Sequence, residues 1–380
     1  MLERTGRTLA AAADRAPLAI RRVDAIPVAL PLRAPMKMAT ITITTAENLL
    51  VRVETVDGSV GWGEAPSAPT MTGDTRGGLV AAVRDHLAPL LIGQDAFAHA
   101  ALTAMMRRAL VGNGAAHSAV EMALLDLCGR ALDVRLIDLV ARPLRHRVMP
   151  IWLLGNPTLE QDIAEAHLRV AQGYHLFKLK IGVRPLGSEI PAAHAMRAAF
   201  PDIPLCADAN CGLTLAAARR YLAGTRKAGL LFVEQPLAPD DLAGLKALTR
   251  ANVPIGIDEG IRSLADVAAN AKAGAGGISL KLKLGGVTQA LAAGRLCRKL
   301  GLKINVAARI AESSIGTAAV VHLACAVPNV DWGVSLTNFY LAEDVVRRSL
   351  AIRDGVVALP DGPGLGIEVD EAAVARFRVH

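Results

Sequence analysis

Three acidic residues each close a short apolar run: Pro204-Leu205-Cys206-Ala207-Asp208, Leu230-Leu231-Phe232-Val233-Glu234 and Pro254-Ile255-Gly256-Ile257-Asp258. Asp208, Glu234 and Asp258 recur at intervals of 26 and 24 residues, the length of one strand, one helix and two loops. Carboxylates gathered from three neighbouring strands repel one another. A hard divalent cation removes that conflict and keeps positions open for water and substrate. Lysines flank the acids. Lys178 and Lys180 stand two apart in Leu176-Phe177-Lys178-Leu179-Lys180, so both fall on one face of a strand. Lys281 and Lys283 repeat the spacing in Ser279-Leu280-Lys281-Leu282-Lys283. A carboxylate substrate on the cation then has an ammonium group on each side. Neighbouring positive charge depresses a lysine pKa toward the range a base needs. Taken singly, each acid reads as a helix cap or surface residue and each Lys-x-Lys as solvated surface. Three acids in register between two lysine pairs read as a site.

These residues need a scaffold that brings strand ends together. Runs of four or five apolar residues between helix-like segments are buried parallel strands. Charges at their C-terminal ends match the edge where a (β/α)8 barrel builds its active site. Eight such runs can be counted from Val148–Leu153 to Val330–Leu336, with helical stretches such as Thr158–Gln172 between them. The pattern predicts a TIM-type barrel, (β/α)8 or a (β/α)7β variant, over residues 146–345, with a tail over 346–380 folding back on what precedes it.

Residues 22–145 predict an α+β capping domain. Arg22–Leu32 alternates, Asn48–Thr55 and Val60–Ala65 flank the hairpin signal Asp57-Gly58, and residues 75–140 carry helical spacing. Arg33–Thr45 reads as a loop between the first two strands, and Ser67–Gly73 as a mobile exit from the sheet. Residues 1–21 read as a poorly ordered extension. No Gly-x-Gly-x-x-Gly follows a strand, so a doubly wound nucleotide-binding sheet has no support.

Lys178-Leu179-Lys180, Asp208-Ala209-Asn210, Glu234-Gln235-Pro236, Asp258-Glu259 and Lys281 ahead of Gly285-Gly286 resemble the enolase superfamily. The closest resemblance is to its muconate-lactonizing-enzyme subgroup in the mandelate racemase/muconate lactonizing enzyme family, over about residues 22–370. The resemblance implies Mg²⁺, with Mn²⁺ as substitute, held by Asp208, Glu234 and Asp258. It implies proton exchange by Lys180 on one face and Lys281 on the other, with Lys178 stabilising a carboxylate oxygen and depressing the Lys180 pKa. Glu312 resembles the family's acid near the substrate carboxylate, and Asn210 falls within a site motif. Cap loops would bring Met36, Met38, Met71 and Thr72 to the substrate, and the eighth strand would bring Thr337 and Phe339. One departure concerns Lys281, which stands four residues before Gly285 where the family spacing is five. Lys281 and Lys283 therefore both stay open as the sixth-strand acid–base.

The reaction implied is proton exchange α to a carboxylate through an enediolate, as a cycloisomerase of a small carboxylic acid. The alternative is a racemase, epimerase or dehydratase of an amino-acid derivative such as an N-acyl amino acid or a proline derivative. Dipeptide epimerases of the subgroup carry Asp-x-Asp where Thr337 and Phe339 stand, which argues against that activity. A silent ligand-binding barrel fits poorly with an intact set of lysines and acids.

Composition sets outer bounds. The chain has 380 residues and a net charge of +7, but only 3% aromatic residues and no dense Lys/Arg run, so nucleic acid is not the expected partner. No 18-residue apolar span occurs, so no membrane insertion is expected. Five cysteines (Cys128, Cys206, Cys211, Cys297, Cys325) fit reduced thiols in a cytoplasmic protein. Homo-oligomerisation is expected.

Overall fold

The computed structural model describes residues 16–37, 41–249 and 253–379. Most of the expected extension lies outside these residues. The chain is nonetheless fixed before residue 22: Leu18 is buried, its N–H donates to Asp95 Oδ1 at 3.0 Å, and the first strand starts at Ile20.

Strands β1 (Ile20–Lys37), β2 (Thr42–Thr55) and β3 (Val60–Pro66) form an antiparallel meander. Gly58, at φ 86°, makes the tight turn before β3. The stretch expected to be a loop between the first two strands is mostly sheet. Pairing slips between Pro31 and Met36 and then resumes at Met36↔Ile43 and Lys37↔Thr42. Pro31 and Pro35 cannot donate to a ladder, so the sequence there looks irregular although the strand continues. The helix Gly114–Leu132 lies across β3. Gly63 permits the contact, because a Cβ there would stand 1.9 Å from the Ala119 carbonyl oxygen. Ser67–Gly73, expected to be mobile, is held as a turn by Ala68 N–H to Asp74 O (2.8 Å) and Thr72 N–H to Ala68 O (2.9 Å).

A two-stranded ribbon joins β4 (Arg147–Val148) to β13 (Val357–Ala358). Between them eight parallel strands close a barrel: β5 (Pro150–Leu154), β6 (Phe177–Lys180), β7 (Leu205–Asp208), β8 (Val233–Glu234), β9 (Ile255–Ile257), β10 (Gly277–Leu280), β11 (Lys303–Ala307) and β12 (Val334–Ser335). This is the TIM-type barrel that the strand count predicts. Helices separate the strands and stop where φ turns positive or polar caps intervene, as at Gly274 and Gly301. The N-terminal end of the barrel is plugged by Phe232 and Trp332, stacked 4.1 Å apart at 12°, together with Cys206. Gly277 makes room for them, since a Cβ there would stand 2.5 Å from Trp332.

After the barrel, the tail meets the capping layer. Leu365 N–H donates to Asp126 Oδ1 at 2.8 Å, and Val379 N–H to the Pro27 carbonyl at 2.9 Å. All five thiols are free, and four are buried. Among the described residues no helix is long and apolar enough to cross a membrane.

Candidate active site

Strand register does the positioning. Lys180 pairs with Asp208 across β6–β7, Asp208 with Glu234 across β7–β8, and Glu234 with Gly256 across β8–β9, two residues before Asp258. Three carboxylates thus come from three adjacent strands at one end of the barrel. All three are buried, as are Lys178, Lys180, Lys281 and Lys283.

The charges are paired one against another. Lys178 donates to Glu234 and, at 3.3 Å, to Asn305 Oδ1. Lys180 donates to Asp208 Oδ2 at 2.5 Å and Asn210 Oδ1 at 2.7 Å. Lys281 reaches Asp258 Oδ2 at 2.5 Å, and Lys283 reaches Asp258 Oδ1 at 3.1 Å and its carbonyl at 2.8 Å. Ser279 donates to the second oxygen of Glu234. A buried ion pair of this kind needs every remaining lone pair satisfied, and polar neighbours supply that here.

Pairing sets the direction of two lysine shifts in the absence of a cation. Burial pulls the Lys178 ammonium down, but Glu234 and Asp208 outweigh it and hold it above its usual range. Lys281 is raised in the same way, with burial opposed by Asp258 and Glu234. Burial works against the Asp258 charge, yet Lys281 and Lys283 bring its pKa below the ordinary carboxylate range. Burial and the charge of Asp258 raise Glu259 to about 7.

With the carboxylates turned onto lysines, no three His, Cys, Asp or Glu side chains among the described residues stand arranged to hold a metal ion. The donor chemistry still fits a hard divalent cation: three buried carboxylates on consecutive strand ends, all oxygen donors. Loops after β7, β8 and β11 carry strained backbone. Asn210 (φ 41°), Gln235 (φ 35°) and Ala311 (φ 48°) adopt left-handed backbone, which costs of order 1 kcal/mol or more each for non-glycine residues. Gln235 repays this locally, because its Oε1 accepts from Asp258 N–H (3.0 Å) and Gly260 N–H (3.1 Å). Asn210 ties Lys180 to Glu259 Oε1 at 3.1 Å.

Met36, Met71 and Thr337 line the same cavity as Lys178, Lys180, Lys281 and the three acids. Thr72 lines an adjoining cavity with Met71, Lys281 and Lys283. Met38 lies outside the described residues. Lys281 directly follows β10 in extended backbone, whereas Lys283 sits in the next 3₁₀ turn (Leu282–Leu284), so the two do not share a strand face. Phe339 is not brought to this cavity's lining; its ring meets Tyr174 edge-on at 6.4 Å. The chain leaves the strand at Thr337 and enters a 3₁₀ turn, so two-residue alternation stops applying there. Glu312 stands in a buried ion pair. Both its oxygens accept from Arg309, Oε1 from Nε at 2.9 Å and Oε2 from the backbone N–H at 3.1 Å.

Sequence reasoning passed over Asn305, Ser279 and Arg309. Asn305 was a lone polar residue in the apolar run of β11, and Ser279 preceded Lys281 by two. Both spacings point into the barrel.

An eight-stranded barrel with this charge set at its mouth defines the enolase class of barrel, and residues 161–373 match the family model described as enolase C-terminal domain-like. Residues 20–141 match the mandelate racemase / muconate lactonizing enzyme N-terminal domain. The chain belongs to the mandelate racemase/muconate lactonizing enzyme family of the enolase superfamily, in its muconate lactonizing subgroup. It is 32% identical over 358 residues to a chloromuconate cycloisomerase of Cupriavidus pinatubonensis, covering 92% of this chain and 96% of the relative. An L-Ala-D/L-Glu epimerase of Bacillus subtilis is 30% identical over 355 residues, covering 92% and 96%. The crystal structure of a muconate lactonizing enzyme from Pseudomonas fluorescens, complexed with muconolactone, superposes with a TM-score of 0.93 at 28% identity, covering 96% of this chain and 100% of that one.

Proposed function

We propose that this protein is a divalent-metal-dependent isomerase that forms a lactone from an unsaturated dicarboxylic acid of the muconate kind. The observation that carries this reading is the placement of buried ammonium groups on both sides of three clustered carboxylates.

Asp208, Glu234 and Asp258 are the residues that would hold the cation. When bound, it supplies positive charge opposite the oxygens where negative charge develops, and draws off carboxylate charge that now keeps Lys281 protonated. Lys178, fixed by Glu234 and Asn305, is placed to bind one substrate carboxylate oxygen and stabilise the enediolate. Lys180 and Lys281 carry or remove a proton at their Nζ atoms from opposite faces, worth about 10²–10⁴ in rate for each proton transfer. Of the two sixth-strand lysines, Lys281 is the acid–base, because it faces the cavity from the strand end while Lys283 braces Asp258 from the turn. Asn210 sets the Lys180 ammonium against Asp208. Met36, Met71 and Thr337 close the cavity, in which about 40 Å³ is open to water, so substrate entry requires the methionines to shift. Reduced thiols fit a cytoplasmic enzyme, and association of copies is part of the same proposal.

The test is to supply Mg²⁺ and cis,cis-muconate in D₂O and follow products by NMR. A lactone deuterated at the carbon α to the free carboxylate is expected. Exchange with inversion at Cα of N-acyl amino acids, without any lactone, would instead assign racemase chemistry.

A further inference from the structure

We propose that Arg309 binds the second carboxylate of the substrate, the group that attacks the double bond, and so makes the site selective for diacids. This rests on the lactone-forming reading above. Arg309 follows β11 and is 3% exposed. Its Nε donates to Glu312 Oε1 at 2.9 Å and its Nη2 to the Glu64 carbonyl at 3.2 Å. Its Nη1 is buried and has no partner among the described residues. Arg309 lines the cavity that holds Lys178, Lys180 and Lys281, and also the adjoining one beside Met71 and Thr72.

A buried guanidinium nitrogen without an acceptor costs of order 1–3 kcal/mol, more for a charged group. The rest of this side chain is anchored with care. Thr337 Oγ donates to the Arg309 carbonyl at 2.9 Å and accepts from Glu312 N–H at 3.0 Å, which fixes the backbone of both partners. Two edges of the fork are thus locked, and the third is left without an acceptor on a residue that lines the cavity. A planar fork with one free edge suits an oxygen acceptor at a fixed angle. A carboxylate makes a charge-assisted bond there, roughly twice as strong as a neutral carbonyl does. Arg309 lies just after β11 and Lys178 on β6, with β12 and β5 between those strands around the barrel. One diacid can therefore place a carboxylate at each side.

The step balances without an oxidant. One oxygen of the carboxylate on Arg309 forms a C–O bond to the alkene carbon. The π electrons move through the conjugated chain onto the first carboxylate, and a lysine Nζ delivers its proton to the α carbon. The other oxygen remains as the lactone carbonyl on Nη1. The charged acceptor has become neutral, so Arg309 grips the product less tightly than the substrate. Holding the attacking oxygen also restricts its approach, a positioning effect of the kind that raises effective concentration.

The test uses inert acids, so that it does not depend on turnover. Adipate and hexanoate differ by one carboxylate, and their Kd values are measured by calorimetry on the full-length protein saturated with Mg²⁺. The wild type is expected to prefer adipate by at least about tenfold, the factor that one charge-assisted hydrogen bond confers. In Arg309→Met the ratio of the two Kd values should collapse toward one. Arg309→Lys, which keeps the charge and guards against misfolding of the Met variant, should give an intermediate ratio. Equal binding of both acids by the wild type, or a ratio that survives Arg309→Met, overturns the assignment. A merely structural role would weaken both acids together and leave the ratio intact, which also overturns it. If no lactone ever forms but the Arg309-dependent ratio is present, only the reading of the reaction falls.

Discussion

The two ends of the barrel are built from the same eight strands by opposite means. At the N-terminal end Phe232 and Trp332 stack with Cys206 over glycines, and no charge is present in that cluster. At the C-terminal end four ammonium groups and three carboxylates are buried together. The first arrangement stabilises by burial of aromatic area. The second is costly to desolvate, and replacing such a network by packed apolar side chains often stabilises a protein. Lys178 spans the two regimes, with its Nζ 5.5 Å from the Phe232 ring centre and its partners above. The floor holds the strands in register so that the mouth can bear charges that contribute little to folding.

That contrast can be broken by experiment. Lys180→Ala should reduce kcat by about 10⁴-fold while the circular dichroism spectrum keeps its native shape. Retention of near-native turnover would remove Lys180 from the chemistry. Chelation with EDTA should abolish turnover, and readdition of Mg²⁺ should restore it; activity that persists in a metal-free preparation would rule out the cation. At the other end, Trp332→Ala should cost about 3–5 kcal/mol in urea denaturation without altering kcat per folded molecule. A fall in kcat like that of Lys180→Ala would show that floor and mouth are not separable.

The smallest effect concerns the seam between cap and barrel. Glu64 of β3 accepts from Ser313 N–H (2.8 Å), Ser313 Oγ (2.6 Å) and Gly316 N–H (2.7 Å) at the start of the helix Ser314–Ala326. Burial, and then the Glu312 charge, push its carboxyl from 4.5 up to about 7. A raised acid pKa favours the protonated folded state, so its stabilising contribution is complete below about pH 4.5 and fades as the pH rises through 7. Thermal melts across that window should show a decline in Tm that Glu64→Gln flattens. Parallel slopes for the two proteins would refute this.

How much of this was legible in the sequence follows from what each feature depends on. Asp208, Glu234 and Asp258 announced themselves because repeated βα units put like positions at like distances. Lys281 and Lys283 both stayed open, because spacing does not show where β10 gives way to the 3₁₀ turn. Phe339, a candidate by resemblance alone, falls in the 3₁₀ turn after Thr337, a change of backbone that the motif does not show. The β1–β2 junction misled, since its prolines hid a strand that continues. The pairing of Lys281 with Asp258 was not legible, because spacing shows which charges are near but not which pair forms. Glu64 and Arg309 were invisible, because the one is joined to Ser313 and the other to the Glu64 carbonyl across most of the chain. No local pattern encodes such a contact.

The seating of the tail on β1 has a consequence for synthesis. Val28 bridges Arg378, and Pro27 accepts from Val379, so the opening strand of the cap is completed by a segment that is translated after the entire barrel. A nascent chain emerging from the ribosome therefore carries that strand edge uncovered until translation has passed the last barrel strand. An exposed edge of this sort is an aggregation hazard, which makes the pace of elongation and the presence of a chaperone matter for the yield of active protein.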